Sequence, residues 1–144
     1  MCRPGPRPSS RRKGFIERRA GYNLHQLTPI EQARRIAALV QDKLGKSVVI
    51  LDMRPVCTYT DYLVICTGAN ARQTKAIWDE VHMKLKQESR VLPRSVEGES
   101  AATWIIADYL DVVLHVMTPE AREYYRLEDL WDDVPHETLE AAAS

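Results

Sequence analysis

The first clear periodic signal along the chain lies in TPIEQARRIAALVQDKLG, from Thr28 to Gly45. Ile30, Ala33, Ala37, Val40 and Leu44 recur at helical spacing. Thr28 suits the N-cap, Pro29 the first helical position, and Glu31 completes a capping box. Gly45 is a stop signal. KSVVILDM follows, a β-branched run of the kind that forms a buried strand. RPVCTYT connects it to a second strand, DYLVICTG. Asn70 and Gln73 then mark the start of another helix, whose inner stripe is Thr74, Ile77, Val81 and Leu85 with Trp78 beside it. Lys75, Asp79, Lys84 and Lys86 fall on its solvated side. RSVEG reads as a short edge strand. ATWIIADY and DVVLHVM read as two longer strands, close enough to form a hairpin. Thr118-Pro119-Glu120 opens a short helix through EAREYY, and RLEDLW closes the domain.

The order α-β-β-α-β-β-β-α predicts one small α/β domain with a mixed β-sheet flanked by helices. The predicted organisation is a disordered basic extension at 1–24, a folded domain at 25–131 and a flexible acidic tail at 132–144. A chain of 144 residues has room for one modest core.

In the hairpin, taking Tyr109 and Leu110 as the loop pairs Asp108 with Asp111, Ile106 with Val113, and Trp104 with His115. Ile105, Ala107, Val112, Leu114 and Val116 then share a wholly apolar face, which must be core. Trp104, Ile106, Asp108, Asp111, Val113, His115 and Met117 share the other. That face mixes aromatics with carboxylates, as a semi-exposed recognition surface does. The alternative is that the C-terminal helix covers Trp104 and His115.

Composition changes the picture mainly through charge. The net charge is zero, yet residues 1–24 carry seven basic residues against one acidic, a net +6, and the remainder thirteen against nineteen, a net −6. An acidic body is a poor general nucleic-acid binder and a good partner for a basic protein. The Arg- and Pro-rich start cannot bury enough surface to fold. It is either a solvated extension or a weak contact to RNA phosphates; its prolines spoil an amphipathic targeting helix. No apolar h-region follows it, and apolar runs such as Val48–Leu51 are far too short to span a bilayer. Cys2, Cys57 and Cys66 form no CxxC pair and suit a reducing compartment.

Tests for catalysis find little support. There is no G-x-S-x-G elbow, and Cys57 and Cys66 sit in or next to strand runs, where thiols are usually buried and inert. TGANARQ is neither G-x-G-x-x-G nor a Walker loop. A metal-dependent nucleotidyl transferase needs two carboxylates at i and i+2 on one strand, so that both face Mg²⁺. The nearest pair, Asp108 and Asp111, is three apart and flanks a turn. The four histidines show no zinc-ligand spacing. No catalytic residue, cofactor or metal is expected.

TDYLVICTG, RQTKAIWDEV, VEGESAATWIIADYLDVVLHVM and EAREYYRLEDLW together closely resemble the ribosomal silencing factor (RsfS/Iojap) family over roughly Thr28 to Trp131. The resemblance implies a nucleotidyltransferase-like fold without catalytic residues. It also implies a non-enzymatic cytoplasmic protein that binds the large ribosomal subunit through ribosomal protein uL-fourteen. Bound there, it would sterically block joining of the small subunit and repress translation. A large-subunit assembly role at the same site, or a divergent Mg-dependent nucleotidyltransferase, are the alternatives; monomer and homodimer both stay open. The expected partner-binding residues are Trp104, Asp108, Tyr109, Leu110, Asp111, His115, Tyr124 and Trp131. The family usually has Gly at the position of Leu110, so a longer or bulged hairpin loop is expected here.

Overall fold

The computed structural model describes residues 27–139, so the expected basic extension at 1–24 lies outside the described residues. Within them the elements are α1 (Pro29–Asp42), β1 (Lys46–Asp52), β2 (Tyr62–Thr67), α2 (Ala71–Ser89), β3 (Ser95–Glu97), β4 (Trp104–Asp108), β5 (Val112–Met117), α3 (Pro119–Tyr125), α4 (Leu127–Leu130) and β6 (His136–Leu139). This is an α/β domain with a single mixed sheet, as the patterning implied.

α1 starts on the expected capping box. The Glu31 N–H donates to Thr28 Oγ1 at 3.3 Å, and the Thr28 N–H donates to Glu31 Oε1 at 2.9 Å. Two orphan amides of the first turn are thereby satisfied. The helix end corrects one expectation. Leu44 is not in the apolar stripe; it is 65% exposed and holds the left-handed position at φ 65°. The Leu44 and Gly45 N–H groups donate to the carbonyls of Gln41 and Val40, a Schellman closure. Gly45 serves close packing rather than turning, since a Cβ there would lie 2.3 Å from Val40 Cγ1.

The sheet order is β3-β4-β5-β2-β1-β6. β2 and β5 run parallel; every other neighbouring pair is antiparallel. Pleating gives each strand two faces. Val48, Ile50, Val64, Cys66, Ile105, Ala107, Val112, Leu114 and Val116 turn toward α1 and α2 and form the larger core, with Ile36, Val40, Ile77, Val81 and Leu85 opposite. Leu51, Leu63, Ile65 and Met117 turn the other way and meet Trp131 and Val134 of the C-terminal segment. All five residues assigned to the apolar hairpin face are fully buried.

The hairpin register differs from the expected one. Trp104 pairs with Met117, Ile106 with His115, and Asp108 with Val113. The Tyr109 N–H donates to the Val112 carbonyl at 2.8 Å, so the loop residues are Leu110 and Asp111. The shift is two residues, an even number, so each side chain keeps its face. The loop is tight despite the missing glycine. Leu110 takes φ 78°, and positive φ at the first loop residue alone is the pattern of a II′ turn, whereas I′ requires it at both. Asp108 braces this unfavourable conformation: its Oδ1 accepts the Leu110 N–H at 2.8 Å, and its Oδ2 accepts from Arg94 Nη2 at 2.8 Å.

The C-terminal segment also departs from expectation. Residues 132–139 are not a loose tail: Val134 is buried, and β6 pairs with β1 from Val48↔Leu139 to Leu51↔His136. Glu137 on β6 holds Arg34 of α1 through a bidentate ion pair.

Candidate functional site

The eight expected site residues do not form one patch. Tyr109 continues the pleat of Ile105 and Ala107, so its ring enters the larger core. It is only 6% exposed, and burial raises its phenol pKa. Trp131 is likewise 6% exposed and belongs to the smaller core. Neither presents its side chain as a surface anchor.

Trp104 and His115 do come together. The Trp104 Nε1–H donates to His115 Nδ1 at 3.0 Å. Accepting at Nδ1 requires the neutral ring to carry its proton on Nε2. Burial pushes the His115 pKa down to about 4, because a charged imidazolium would be poorly solvated there. Trp104 also packs against Tyr125 of α3, ring centroids 4.5 Å apart and planes tilted by 44°, and Tyr125 meets Tyr124 in a T-shaped contact at 4.9 Å. Burial and exposure are therefore both partly realised for this pair: His115 is covered, while Trp104 is only half-buried.

Asp108, Leu110 and Asp111 gather at the opposite end of β4. Four residues of strand separate Asp108 from Trp104, or roughly 13 Å at about 3.3 Å per residue. Between them, half-buried Ile106 and Val113 complete a strip on the sheet face turned away from α1 and α2. Glu97 of β3 lies in register with Ile106, and Ser95 with Asp108. Among the described residues, the C-terminal segment covers the β1–β2 side of this face and on β4 meets Trp104 through Tyr125. An apolar strip with acidic borders is left open among the described residues.

Sequence reasoning missed the residue that docks the C-terminal segment. Arg122, in α3, donates from Nη1 to the Ser47 carbonyl at 2.6 Å and to Thr67 Oγ1 at 2.9 Å. Its Nε donates to Glu128 Oε2 at 3.0 Å. One guanidinium thus ties α3 to β1, β2 and α4, and so sets Tyr125 over Trp104. Nothing local marks Arg122 for this role, since two of its partners lie 55 and 75 residues away. Tyr125 was also passed over; Ile106 and Val113 were placed on this face by the pleat period but not counted among the expected partner-binding residues.

The polar groups along the strip are engaged with one another. Asp108 holds Arg94 and the turn amide, and His115 holds Trp104. Cys66 is buried, and its thiol is pushed up to about 12 by desolvation, far from a reactive thiolate. Asp108 and Asp111 do not share a strand, so they lack the two-carboxylate arrangement of a nucleotidyl transferase. The geometry suits recognition by shape and charge.

The family described as "Ribosomal silencing factor during starvation" matches residues 26–144. The chain belongs to the ribosomal silencing factor family. A ribosomal silencing factor of Halalkalibacterium halodurans is 38% identical over 105 residues, covering 73% of this chain and 89% of that protein. The mouse protein named "Mitochondrial assembly of ribosomal large subunit protein 1" is 31% identical over 132 residues, 88% of this chain and 56% of its own length. A crystal structure of a Chromobacterium violaceum protein superposes with a TM-score of 0.71 at 31% identity, covering 81% of this chain and 97% of that one. Among the described residues, no helix is long and apolar enough to cross a membrane.

Proposed function

We propose that this ribosomal silencing factor binds the large ribosomal subunit through ribosomal protein uL-fourteen and, by occupying the subunit interface, keeps the small subunit from joining. Translation is repressed by occupancy, in the cytoplasm, without chemistry on the ribosome. The observation that supports this reading is the open strip of Trp104, Ile106 and Val113 bordered by Glu97, Asp108 and Asp111. Ribosomal proteins are generally basic, and an apolar centre with an acidic rim fits a basic protein partner. Leu110, 39% exposed at the hairpin tip, adds apolar contact; Tyr125 extends the strip at the other end. This revises the expected residues: Tyr109 belongs to the core on the other side of the sheet, His115 is buried against Trp104, and Trp131 belongs to the neighbouring cover.

The test adds the protein to separated subunits and follows the joined ribosome fraction. Joining should fall with added protein and recover when the bound factor is stripped off. Large subunits that stay unable to join after removal would rule out occlusion. The name of the mouse relative favours a second reading, in which the same contact serves large-subunit assembly. In that case depletion would accumulate immature large subunits while leaving joining of mature ones unchanged.

A further inference from the structure

At the end of the sheet away from the Asp108–Asp111 turn, the start of α2 faces α3 across an open cleft of about 670 Å³. Its lining includes Asn70, Ala71, Thr103, Glu120, Tyr124 and Tyr125. The volume suits a ligand of modest size. Tyr124 is 79% exposed and meets Tyr125 at nearly a right angle. Among the described residues no cation lines the cleft itself; three sit on the segments that lead into it. Arg72 is the second residue of α2, and Gln73 Nε2 donates to the Lys43 and Leu44 carbonyls at 3.0 and 3.3 Å. That link brings the α1–β1 turn, with Lys43 and Lys46, against the first turn of α2. Other cations such as Arg34, Arg35 and Arg94 have carboxylate partners. Lys43, Lys46 and Arg72 are exposed and form no ion pair among the described residues.

Unpaired cations in a body with an acidic excess call for an anionic partner, and an exposed aromatic beside them calls for a flat one. Single-stranded nucleic acid offers both, phosphates for the cations and a base to stack on the ring. We infer that this end of the molecule holds an unstacked nucleotide of RNA, its phosphates at Lys43, Lys46 and Arg72 and its base on Tyr124. Glu120 accepts hydrogen bonds only, so it favours a base that presents an exocyclic amine. The inference rests on the ribosomal reading, since a large subunit supplies such RNA, but it uses the end opposite the acidic turn.

The experiment measures anisotropy of a short fluorescein-labelled oligoadenylate titrated with the full chain, beside the Lys46→Glu/Arg72→Glu and Tyr124→Ala variants. The parent should bind at low salt. The charge reversal should weaken binding about tenfold or more and flatten its salt dependence by roughly 0.7 in logarithmic slope for each phosphate no longer neutralised. Tyr124→Ala should cost about fivefold or more with the salt slope unchanged, as removal of one stacked base does. Circular dichroism should show both variants folded, because the substituted side chains are exposed. No binding by the parent would overturn the inference, as would binding that both variants retain in full, which would assign the RNA to the basic 1–24 segment. Variants that lose large subunits yet keep the oligonucleotide would also overturn it, marking the cleft as a protein-binding surface. The acidic end is read separately: Asp111→Lys should leave oligoadenylate affinity undiminished, so failure of the uL-fourteen contact would not be confused with failure here.

Discussion

The two faces of the sheet use alternate residues of the same strands and end in opposite conditions. On the face toward α1 and α2, Ile105, Ala107, Val112, Leu114 and Val116 have no exposed surface at all, and two long helices close over them. On the other face the cover is a pair of short helices and the Trp131–Val134 turn, held by Arg122. That cover reaches Leu51, Ile65 and Met117 and leaves Trp104, Ile106 and Val113 half-buried. The first face is complete within the chain and specifies the fold. The second is incomplete among the described residues, and its unfilled half is where we propose that a partner fits.

The largest effects should fall on the closed face. Leu114→Ala removes a fully buried side chain from the centre of the larger core and should cost about 2–5 kcal/mol of stability, read as a lower denaturation midpoint. Binding should fall only in proportion to unfolding. A variant that stays folded yet no longer binds would blur the distinction between the faces.

A smaller effect comes from His115, under the boundary between cover and open strip. Its folded pKa of about 4 lies below the usual unfolded value of about 6.5. Between those values the unfolded chain binds the extra proton, so stability falls as pH is lowered from about 6.5 to 4 and changes little with this group above 6.5. The full shift corresponds to roughly 3 kcal/mol. His115→Gln should flatten that part of the stability–pH curve; an unchanged curve would mean the imidazole is solvated.

Trp104→Ala tests the open strip itself. Removing an aromatic anchor should cost about 2 kcal/mol of binding, roughly thirtyfold, at every salt concentration. Thermal unfolding measured in parallel should show a smaller drop than for Leu114→Ala. Smaller again, Leu110→Gly should raise stability by about 1 kcal/mol, because φ 78° is penalised for any residue with a Cβ. A fall in stability would show that the Leu110 side chain contributes more packing than the backbone strain costs.

Most of the closed face was legible because it is written in periods. The stripe of α2 and the alternation of β4 and β5 follow from local spacing, and all their inner residues are buried. Where the reading failed, the determining contact was distant. β6 has little apolar alternation in His136–Leu139; it is held by pairing with β1 and by Arg34, 103 residues away from Glu137. The hairpin register was misjudged because Leu110 argued against a tight turn. The bond from the Leu110 amide to the Asp108 carboxylate offsets the strain, and no propensity scale contains it. The alternation that put Ile105 and Ala107 in the core extends to Tyr109, so its burial was readable. Trp131 was not, since its place depends on the cover folding back. For the open strip, local pattern picked out Trp104, Asp108, Leu110 and Asp111 but could not separate the two ends of β4.

The central claim is that the open half of the second face is the ribosomal contact, and co-sedimentation with purified large subunits tests it most directly. The parent protein should pellet with the subunits. Trp104→Ala should pellet with roughly thirtyfold weaker affinity at all salt concentrations, and Asp111→Lys should be weakened chiefly at low salt, where rim charges act most strongly. Lys86→Glu, on the exposed side of α2, should pellet like the parent. Folded Trp104→Ala and Asp111→Lys proteins that sediment as tightly as the parent would contradict the assignment of this face.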